Sequence, residues 1–559
     1  MTRLLLYANT LRHLRASQLY ALIRKRLFPS TRRIPPVKEV RTRFGVGLTP
    51  GIHRLGRSNQ SYAFDFLNHE KRFPYGRVDW RCADMPKLWR YNLHYFDYLS
   101  EQGRTVQEQS VLISDWIAHN PPGATDAWES YTLSLRTVNW IKYFIQSGNP
   151  IPTDWLHSLY VQVLWLEDDL EDHLLANHYL KNGVALFFAG LYFSGPDADR
   201  WLTLGRRILS DEMEEQFLQD GGHYERSPMY HAISVVDYLD VLNLMQHSGA
   251  AESFPEEAYL IDRTATALAF LDDLCFPDGE IPLFNDAAFG IAPPPVDILS
   301  YGQRITGYTR KVWTDELAAI QKPQTGYFVI RNRSNMLIVD CGAVGPDYQP
   351  GHAHADTLSF ELGIDGRRVI VDSGVYDYEP GPRREYARST KAHNTLSIDG
   401  QDQSETWGVF RVARRAYPLY ARLTVEGSER VRFEGAHDGY RRLHGRLIHS
   451  RAVTCGRSGR WEIQDTVGGS GEHLIESRLH VHPDLHVELR QLVVEIRDHL
   501  GKSILTISPT SNVEVRLEKG WYFSEFGRER ANSTIVMTYC GTVPVTLGYV
   551  MYQSVLDHT

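Results

Sequence analysis

The spacing of apolar residues changes once along this chain, near residues 312–325, and this change constrains the fold more than any other feature. Before it, apolar side chains recur at the interval of an α-helix, as in 159–175, 178–193 and 230–245, with Gly and Pro between such segments. After it, apolar and polar residues alternate as in β-strands, and Asp365-Gly366 between two alternating segments predicts a hairpin. Helices followed by strands indicate two layers of different type rather than an alternating α/β fold.

These patterns divide the 559 residues into three segments. We predict a basic amphipathic N-terminal segment at 1–60, a domain of antiparallel helix pairs at 61–320 and an antiparallel β domain at 321–559. A chain of this length exceeds one ordinary hydrophobic core, which also favours more than one domain.

The charge of the chain argues against one broad class of partner. The formal net charge is -8 and the pI is about 6.3, so a wide nucleic-acid-binding surface is not expected. An anionic ligand would need local positive charge in its binding site. The five cysteines are scattered, with no CxxC pair and no disulfide framework, which is compatible with a reducing compartment without requiring one.

The N-terminal segment is strongly basic. Residues 1–38 contain nine Lys or Arg and no acidic residue, and their leucines recur at helical spacing. This pattern is typical of a helix that lies on an anionic membrane surface; the alternative is a helix packed on the protein with its charges in water. The apolar stretch LLLYA is too short for a signal peptide, and no apolar run is long enough to span a membrane. We expect a cytoplasmic or membrane-peripheral protein, with the periplasm as the alternative.

The densest group of metal-ligand side chains lies just inside the β region. On a strand, His352 and His354 would point to the same face, and a hairpin would return Asp372 close to them, with His393 further along. Imidazoles and a carboxylate that converge in this way suit a zinc-type site. The alternative is a set of strand histidines bonded to the backbone or to solvent.

Two further polar clusters lie where helices are predicted to begin. Asn177 and His178 open one helix, and the pair Ser227-Pro228 is a typical N-cap and first-turn pair that places Tyr230 in the first turn of another. Helix N-termini favour anions, so both positions suit a polyanionic sugar chain. Alternatively, Asn177 only caps its helix and Tyr230 is an ordinary aromatic residue at a helix end.

Aromatic and charged residues near these clusters are candidate contacts for a sugar polymer. Aromatic rings stack on pyranose faces, and arginine binds carboxylates or sulfates through two parallel hydrogen bonds. The alternative is that the same side chains serve the core and the surface. The candidates for substrate binding are Trp128, Tyr131, Arg136, Glu225, Arg226, Arg384 and Arg388.

Seven segments between about residues 85 and 410 together resemble the heparinase II/III family of polysaccharide lyases. They are LWRYNLHYFDYL, ANHYLKNGVALFFAG, DGGHYERSPMYH, FPDGEIPLFNDAA, GHAHADTLSFEL, VIVDSGVYDY and AHNTLSIDGQDQSE. The resemblance implies an incomplete (α/α) toroid followed by a large antiparallel β-sandwich, with the active site in the cleft between them. This architecture agrees with the change of periodicity.

The resemblance also implies roles for individual residues. Asn177 would hold and neutralise a uronate carboxylate, with His178 beside it. Tyr230 would be the general base, the general acid or both, and His352 would be its partner across the cleft. One divalent metal, zinc, would organise the cleft rather than attack the substrate, and its implied ligands are His354, Asp372 and His393.

These roles correspond to β-elimination on a uronic-acid-containing polysaccharide of capsular, exopolysaccharide or glycosaminoglycan-like type. Hydrogen bonds to the carboxylate stabilise the enediolate that forms when a base removes the C5 proton. The oxygen that leaves C4 takes a proton from the same tyrosine or from a second group. We therefore expect a polysaccharide lyase whose partner is an anionic polysaccharide.

Two other functions stay open at the level of the residues. A glycoside hydrolase on the same toroid needs two carboxylates that flank the scissile bond, and Asp220, Glu225, Asp278 and Asp286 are candidates. A non-catalytic glycan-binding factor of exopolysaccharide assembly needs neither these carboxylates nor the acid–base pair.

Overall fold

The computed structural model describes residues 3–27, 40–43, 47–52, 62–101, 103–249, 254–427, 430–456 and 459–554. Within these ranges it contains twelve α-helices, and all but the last lie before residue 307. The helices are α1 (Arg3–Leu11), α2 (Ala16–Leu27), α3 (Lys87–Tyr95), α4 (Val106–His119), α5 (Ser130–Ser147), α6 (Thr153–Glu167), α7 (Ala176–Tyr192), α8 (Pro196–Gln216), α9 (Pro228–His247), α10 (Glu257–Leu274), α11 (Pro295–Thr306) and α12 (Pro382–Ala387).

Helices α3 to α11 form the N-terminal half of the body, and each packs mainly on helices close to it in sequence. Helix α7 is central, because it contacts α5, α6, α8 and α9 and is buried along nearly its whole length. Helix pairs that follow one another in this way are the construction expected of an (α/α) toroid.

Two of the predicted helices are confirmed and one is only half right. Helices α7 and α9 cover the segments predicted at 178–193 and 230–245. The segment 159–175 is helical only as far as Glu167, where α6 ends. Four of the next five residues are acidic (DDLED), and negative charge is unfavourable at the negative end of a helix dipole.

Antiparallel sheets make up most of the C-terminal half, and four short strands of the described chain lie before residue 195. Five strands between residues 318 and 370, β5 to β9, form a sheet in sequential order, and ten strands between residues 396 and 553, β10 and β13 to β21, form a second sheet. The strands are β1 (Arg41–Thr42), β2 (Ala63–Phe66), β3 (His69–Arg72), β4 (Phe193–Ser194), β5 (Ala318–Lys322), β6 (Tyr327–Arg331), β7 (Met336–Asp340), β8 (Phe360–Ile364), β9 (Arg367–Ile370), β10 (Leu396–Ile398), β11 (Thr406–Trp407), β12 (Arg411–Val412), β13 (Pro418–Glu426), β14 (Arg430–His437), β15 (Ile448–Gly456), β16 (Arg460–His480), β17 (His486–Arg490), β18 (Val493–Arg497), β19 (Ser503–Pro509), β20 (Glu514–Tyr522) and β21 (Arg530–Gln553).

The five-stranded sheet is buried on both faces, which joins the two halves of the molecule. One face of β6, with Phe328 and Ile330, packs into the core shared with the ten-stranded sheet. The opposite face, with Tyr327 and Val329, packs on Phe270 and its neighbours at the end of α10. Because both faces are covered, β6 and β7 are apolar at nearly every position rather than alternating. The predicted order of a helical toroid followed by a β-sandwich is confirmed.

The predicted hairpin is confirmed, but the segment that leads into it is not the predicted strand. Strands β8 and β9 pair antiparallel around Asp365-Gly366, both of which have positive φ. The segment 351–356, with its two histidines, is a loop and not a strand. The two imidazoles are therefore brought together by loop geometry and by a shared partner, not by the alternation of a strand.

The N-terminal segment contains two helices, α1 and α2, that contact different halves of the body. The Trp407 Nε1–H donates to Thr10 Oγ1 of α1 over 3.1 Å, and Lys25 Nζ of α2 donates to the carbonyl of Leu170 over 2.9 Å. Of the predicted segment 1–60, residues 1–2, 28–39, 44–46 and 53–60 lie outside the described residues. Among the described residues, no helix has both the length and the apolarity needed to cross a membrane.

Candidate active site

The centre of the candidate site is a tyrosine stacked on a histidine from the other half of the molecule. Tyr230 lies in the first turn of α9, where Ser227 Oγ accepts from its backbone N–H at 3.3 Å as the predicted N-cap. Its ring stacks on His352 with 3.8 Å between centroids. Its hydroxyl lies 3.1 Å from the hydroxyl of Tyr378. All three side chains are partly exposed, so a ligand can reach them.

Asp286 holds the two histidines of the site, His352 and His354, in place. This fully buried carboxylate lies 2.9 Å from Nδ1 of His352 and 2.9 Å from Nε2 of His354. Both terminal nitrogens of Arg384 donate to the same carboxylate. Burial alone would raise the pKa of Asp286, but Arg384 and the two histidines hold it well below its usual value. A charged Asp286 fixes the His352 ring and favours a proton on its Nδ1.

The start of α7 supplies the second side of the site. Asn177 is buried and does not cap the helix; its Nδ2 lies 3.3 Å from Oε1 of Glu225. His178 is partly exposed, and its Nδ1 lies 2.9 Å from Oε1 of Glu171. Glu225 reaches toward the other half, with its Oε2 3.4 Å from Nε2 of His352. Asn177, Glu225 and His352 therefore form a chain of polar contacts across the cleft.

Two groups in the site have shifted pKa values that bear on chemistry. Burial, followed by the neighbouring Tyr378, raises the pKa of Tyr230 well above its usual value, so the resting side chain is a neutral phenol. Burial acts to lower the pKa of His178, but the attraction of Glu171 outweighs it and the pKa is raised above 6.5. A cation at the start of α7 adds to the positive end of the helix dipole.

The predicted metal ligands converge only in part. His354 Nδ1 and His393 Nε2 are buried and have no hydrogen-bond partner, and a carboxylate oxygen of Asp356 lies with them within 4.8 Å. Asp372 instead lies behind His393, with its Oδ2 2.7 Å from Nδ1, and its Oδ1 accepts from the Gly374 N–H. The third member of the cluster is therefore Asp356, and Asp372 orients His393 rather than joining the set.

The cluster fits a divalent metal in donor type and in its unused nitrogens. Burial lowers the pKa of His354 to about 4, so its ring is neutral, as a metal ligand must be. Burial also acts to lower the pKa of His393, but Asp372 outweighs it and raises the value to about 9. Metal binding at His393 would therefore displace a proton.

Two predicted sugar contacts in the helical half prove to be core residues. The Arg136 guanidinium is fully buried against the Trp116 ring and donates to Gln162 and to two backbone carbonyls. Trp128 is buried between other tryptophans, and its Nε1–H donates to the Asn120 carbonyl. Neither can contact a substrate. Tyr131 does lie beside the site, 4.5 Å from the His178 ring.

Three predicted arginine contacts are also corrected, because their guanidinium groups are occupied elsewhere. Arg384 is buried on Asp286 and on the Val409 carbonyl. Arg388 is buried on the carbonyls of Ala353 and Val409. Arg226 donates to three backbone carbonyls at the junction of the two halves. Long-range folding, which sequence spacing does not reveal, directs these side chains inward.

Sequence reasoning did not assign site roles to four residues, namely Glu171, Asp286, Asp356 and Tyr378. Asp286 entered only as a possible hydrolase carboxylate, and Asp356 stood next to the histidine pair without being chosen. The only signal for Tyr378 was its position in the segment VIVDSGVYDY. Asp286, Asp356 and Tyr378 gain their places through contacts with residues distant in sequence, whereas Glu171 bonds to His178 only seven positions further on.

Comparison with known families agrees with the fold. Two family models match this chain: "Heparinase II/III N-terminus" over residues 57–291 and "Heparinase II/III-like, C-terminal" over residues 315–546. The first covers the toroid and the second the β-sandwich. The chain belongs to the heparinase II/III family.

Individual relatives are distant. A heparin-sulfate lyase of Bacteroides stercoris is 23% identical over 440 residues, which cover 65% of this chain and 64% of that protein. FtsZ-localized protein C of Caulobacter vibrioides is 25% identical over 363 residues, which cover 61% of this chain and 57% of that protein. The chain thus spans less than two thirds of the length of these curated relatives.

The solved structures support the architecture over a larger share of the chain. A crystal structure of heparinase III matches with a TM-score of 0.68 at 18% identity, and the match covers 96% of this chain and 90% of that one. This likeness confirms the toroid followed by a β-sandwich.

Proposed function

We propose that this protein is a polysaccharide lyase that cleaves a uronic-acid-containing polysaccharide by β-elimination. The observation that carries the proposal is the stacked pair of Tyr230 and His352, 3.8 Å apart, beside Asn177 and His178 at the start of α7. This set contains an acid, a base and donors for a carboxylate, which are the three groups that the reaction requires.

The start of α7 is the proposed binding site for the uronate carboxylate. Asn177 offers amide N–H donors, and the raised pKa of His178 adds an imidazolium. Partial neutralisation of the carboxylate makes the adjacent C5 proton more acidic and stabilises the enediolate that develops. Substrate binding would replace the contact between Asn177 and Glu225 with a contact to the sugar.

The proton transfers are assigned from the protonation states. An Nδ1–H of His352 donated to Asp286 leaves Nε2 as the ring nitrogen that accepts the C5 proton. Tyr230, a neutral phenol at rest, donates its proton to the oxygen that leaves C4. The C5–H and C4–O bonds break, a C4–C5 double bond forms, and the proton then returns from His352 to Tyr230. No water is consumed in this sequence.

A divalent metal, with zinc as the proposed ion, is assigned to His354, Asp356 and His393. When bound, such an ion would supply fixed positive charge and rigidity behind the cleft. His354 also lies against Asp286, 2.9 Å away, and so connects this cluster with the base. Elemental analysis of the purified protein tests the assignment: a near-stoichiometric ion that is lost in His393→Ala supports it, and its absence from the parent protein contradicts it.

The proposed substrate class rests on the hydrogen-bond donors for a carboxylate and on the ring of one aromatic residue. Three relatives are named heparin-sulfate lyase. For this chain we propose the wider class of acidic capsular, exopolysaccharide or glycosaminoglycan-like polymers. Tyr131, beside His178, is the proposed stacking surface for a sugar ring.

The decisive experiment is incubation with a panel of acidic polysaccharides while the ultraviolet absorbance of the unsaturated uronate is recorded. We expect Tyr230→Phe and Asn177→Ala each to lower kcat/KM by about 100-fold or more, as for the loss of a general acid or of oxyanion-type stabilisation. Tyr552→Phe, at an exposed site on β21, is the matched control and should retain full activity.

The outcomes separate the competing functions. Cleavage without the chromophore would indicate a hydrolase and would overturn the proposal. A non-catalytic glycan-binding role is the remaining alternative. Polymer binding without any product, unchanged in Tyr230→Phe, would establish that role instead.

A further inference from the structure

The most unusual surface of the molecule is the outer face of the N-terminal helix pair, α1 and α2. On α1, Leu4 and Leu11 are exposed on one face, with Leu4 79% accessible. On α2, Leu19, Leu22 and Ile23 are exposed on one face, and Leu27 at its end is 65% accessible. We call these six residues, together with Tyr20, the outer apolar face.

Helix α2 turns its polar side toward the body and its apolar side toward solvent, which is the reverse of an ordinary surface helix. Its inward side carries Gln18, Ala21 and Lys25, and both polar side chains bond to backbone carbonyls of the loop at 170–173. Its outward side carries the leucines and the isoleucine. A surface helix normally buries its apolar stripe and exposes its polar one. The reversed arrangement of α2 indicates that the outer apolar face contacts another apolar partner.

Polar contacts hold α2 in this orientation. Arg24 forms an ion pair with Asp172 over 2.7 Å, and Arg15 pairs with Glu215 and lies over the Tyr348 ring. Because the body fixes the polar side, the outer apolar face is presented to solvent in a defined direction.

The charge around this face identifies its partner. Residues 1–38 contain nine Lys or Arg and no acidic residue. Arg3, Arg12 and Arg26 are exposed, and none of them pairs with a carboxylate among the residues that the structure describes. Two copies of so basic a surface would repel each other, whereas an anionic bilayer offers both negative headgroups and an apolar interior. We infer that the N-terminal helix pair docks on an anionic membrane surface, with the outer apolar face inserted at the headgroup boundary.

The docked pair would lie beside the active-site cleft. Tyr7 packs edge-on against Trp407, and Phe410 in the same β11–β12 hairpin packs on His352. The loop that receives α2 contains Glu171, which pairs with His178. The helix pair thus contacts one segment from each side of the cleft, and a bilayer that holds it would lie close to both.

The test is co-sedimentation of the full chain with vesicles of phosphatidylcholine alone and of phosphatidylcholine mixed with phosphatidylglycerol. We expect binding to the mixed vesicles only, weakened by added salt. The double variant Leu4→Glu/Ile23→Glu should weaken this binding by about tenfold or more, since it removes apolar contacts and adds repulsion.

A matched control separates docking from general surface hydrophobicity. Val312 and Leu500 are 89% and 80% exposed outside the helix pair, and Val312→Glu/Leu500→Glu should bind vesicles as the parent chain does. Circular dichroism and gel filtration check that both variants are folded monodisperse proteins. Equal loss of binding in the control, or equal binding to neutral vesicles, would overturn the proposal.

Self-association is the competing outcome. A concentration-dependent dimer that the Leu4→Glu/Ile23→Glu variant abolishes, without vesicle binding by the parent chain, would show that a second copy covers the face. Tyr230→Phe should bind vesicles normally, so this proposal can fail or succeed independently of the proposed lyase activity.

Discussion

The buried carboxylate of one residue, Asp286, fixes the positions of several side chains in the site. It contacts His352, His354 and Arg384, which connects the proposed base to the proposed metal cluster. A buried charge of this kind is stable only because its hydrogen-bonding capacity is filled. The geometry of the base thus depends on a residue that does not touch the substrate.

The pKa of His178 leads to a prediction about pH. Its imidazolium form persists above pH 6.5 because Glu171 outweighs burial, so uronate binding should weaken as pH rises through this raised pKa. We expect KM to increase over that range while kcat changes less. In Glu171→Gln, the increase should move to lower pH, because the main attraction for the proton is lost. Measured KM against pH tests this, with exposed Glu514→Gln as the control; an identical profile in both variants would refute the role of Glu171.

Tyr378 is expected to position Tyr230 rather than to transfer protons itself. Its hydroxyl lies 3.1 Å from that of Tyr230, and Tyr378→Phe removes this bond while keeping the ring. One hydrogen bond contributes about 1 kcal/mol, so kcat should fall about fivefold with little change in KM. The loss should be clearly smaller than that of Tyr230→Phe. A loss as large in Tyr378→Phe would indicate that Tyr378 is itself the acid.

At the scale of elements, glycines set the distance between α7 and α8. A Cβ on Gly205 would lie 2.6 Å from the Phe187 nitrogen, and one on Gly190 would lie 2.4 Å from the Leu202 nitrogen. Both contacts are with backbone, which cannot move aside as a flexible side chain can. The close approach matters for the site because α7 carries Asn177 and His178 in its first turn.

Gly205→Ala should therefore destabilise the protein although alanine is the better helix former. The intrinsic preference favours alanine by about 1 kcal/mol, whereas overpacking against backbone costs about 1–3 kcal/mol. We expect a lower Tm in thermal unfolding and a lower kcat if α7 shifts. Gly381→Ala, where a Cβ would meet open space, is the control and should leave Tm nearly unchanged. A raised Tm in Gly205→Ala would show that the two helices can separate freely.

For the whole molecule, the site depends on how the two halves are joined. Tyr230 belongs to the toroid and His352 to the β-sandwich, so their 3.8 Å stacking reports the docking of the halves. Asp220 accepts from the Thr325 N–H at 2.8 Å, and Arg226 donates to the Thr325 carbonyl at 2.9 Å. These contacts tie the loop before α9 to the start of the sheet.

Arg226→Ala should weaken this junction. It leaves backbone carbonyls without their donors, a loss of about 1–3 kcal/mol. It should lower both Tm and kcat, because the proposed acid and the proposed base lie on opposite halves. Exposed Arg441→Ala serves as the control. Unchanged Tm and kcat in Arg226→Ala would mean that the apolar contact between β6 and α10 suffices to dock the halves.

The sequence by itself determined the order of helices before strands, the start of α9 and the hairpin at Asp365-Gly366. These features are local, since periodicity, caps and turns depend on residues a few positions apart. Only the tertiary structure decided which polar residues converge. Asp286 contacts His352 across 66 positions of the sequence, and Tyr230 contacts Tyr378 across 148. Arg136 and Arg388 are buried, so the substrate contacts predicted for them are wrong. Convergence and burial depend on contacts between distant segments, which local patterns do not encode.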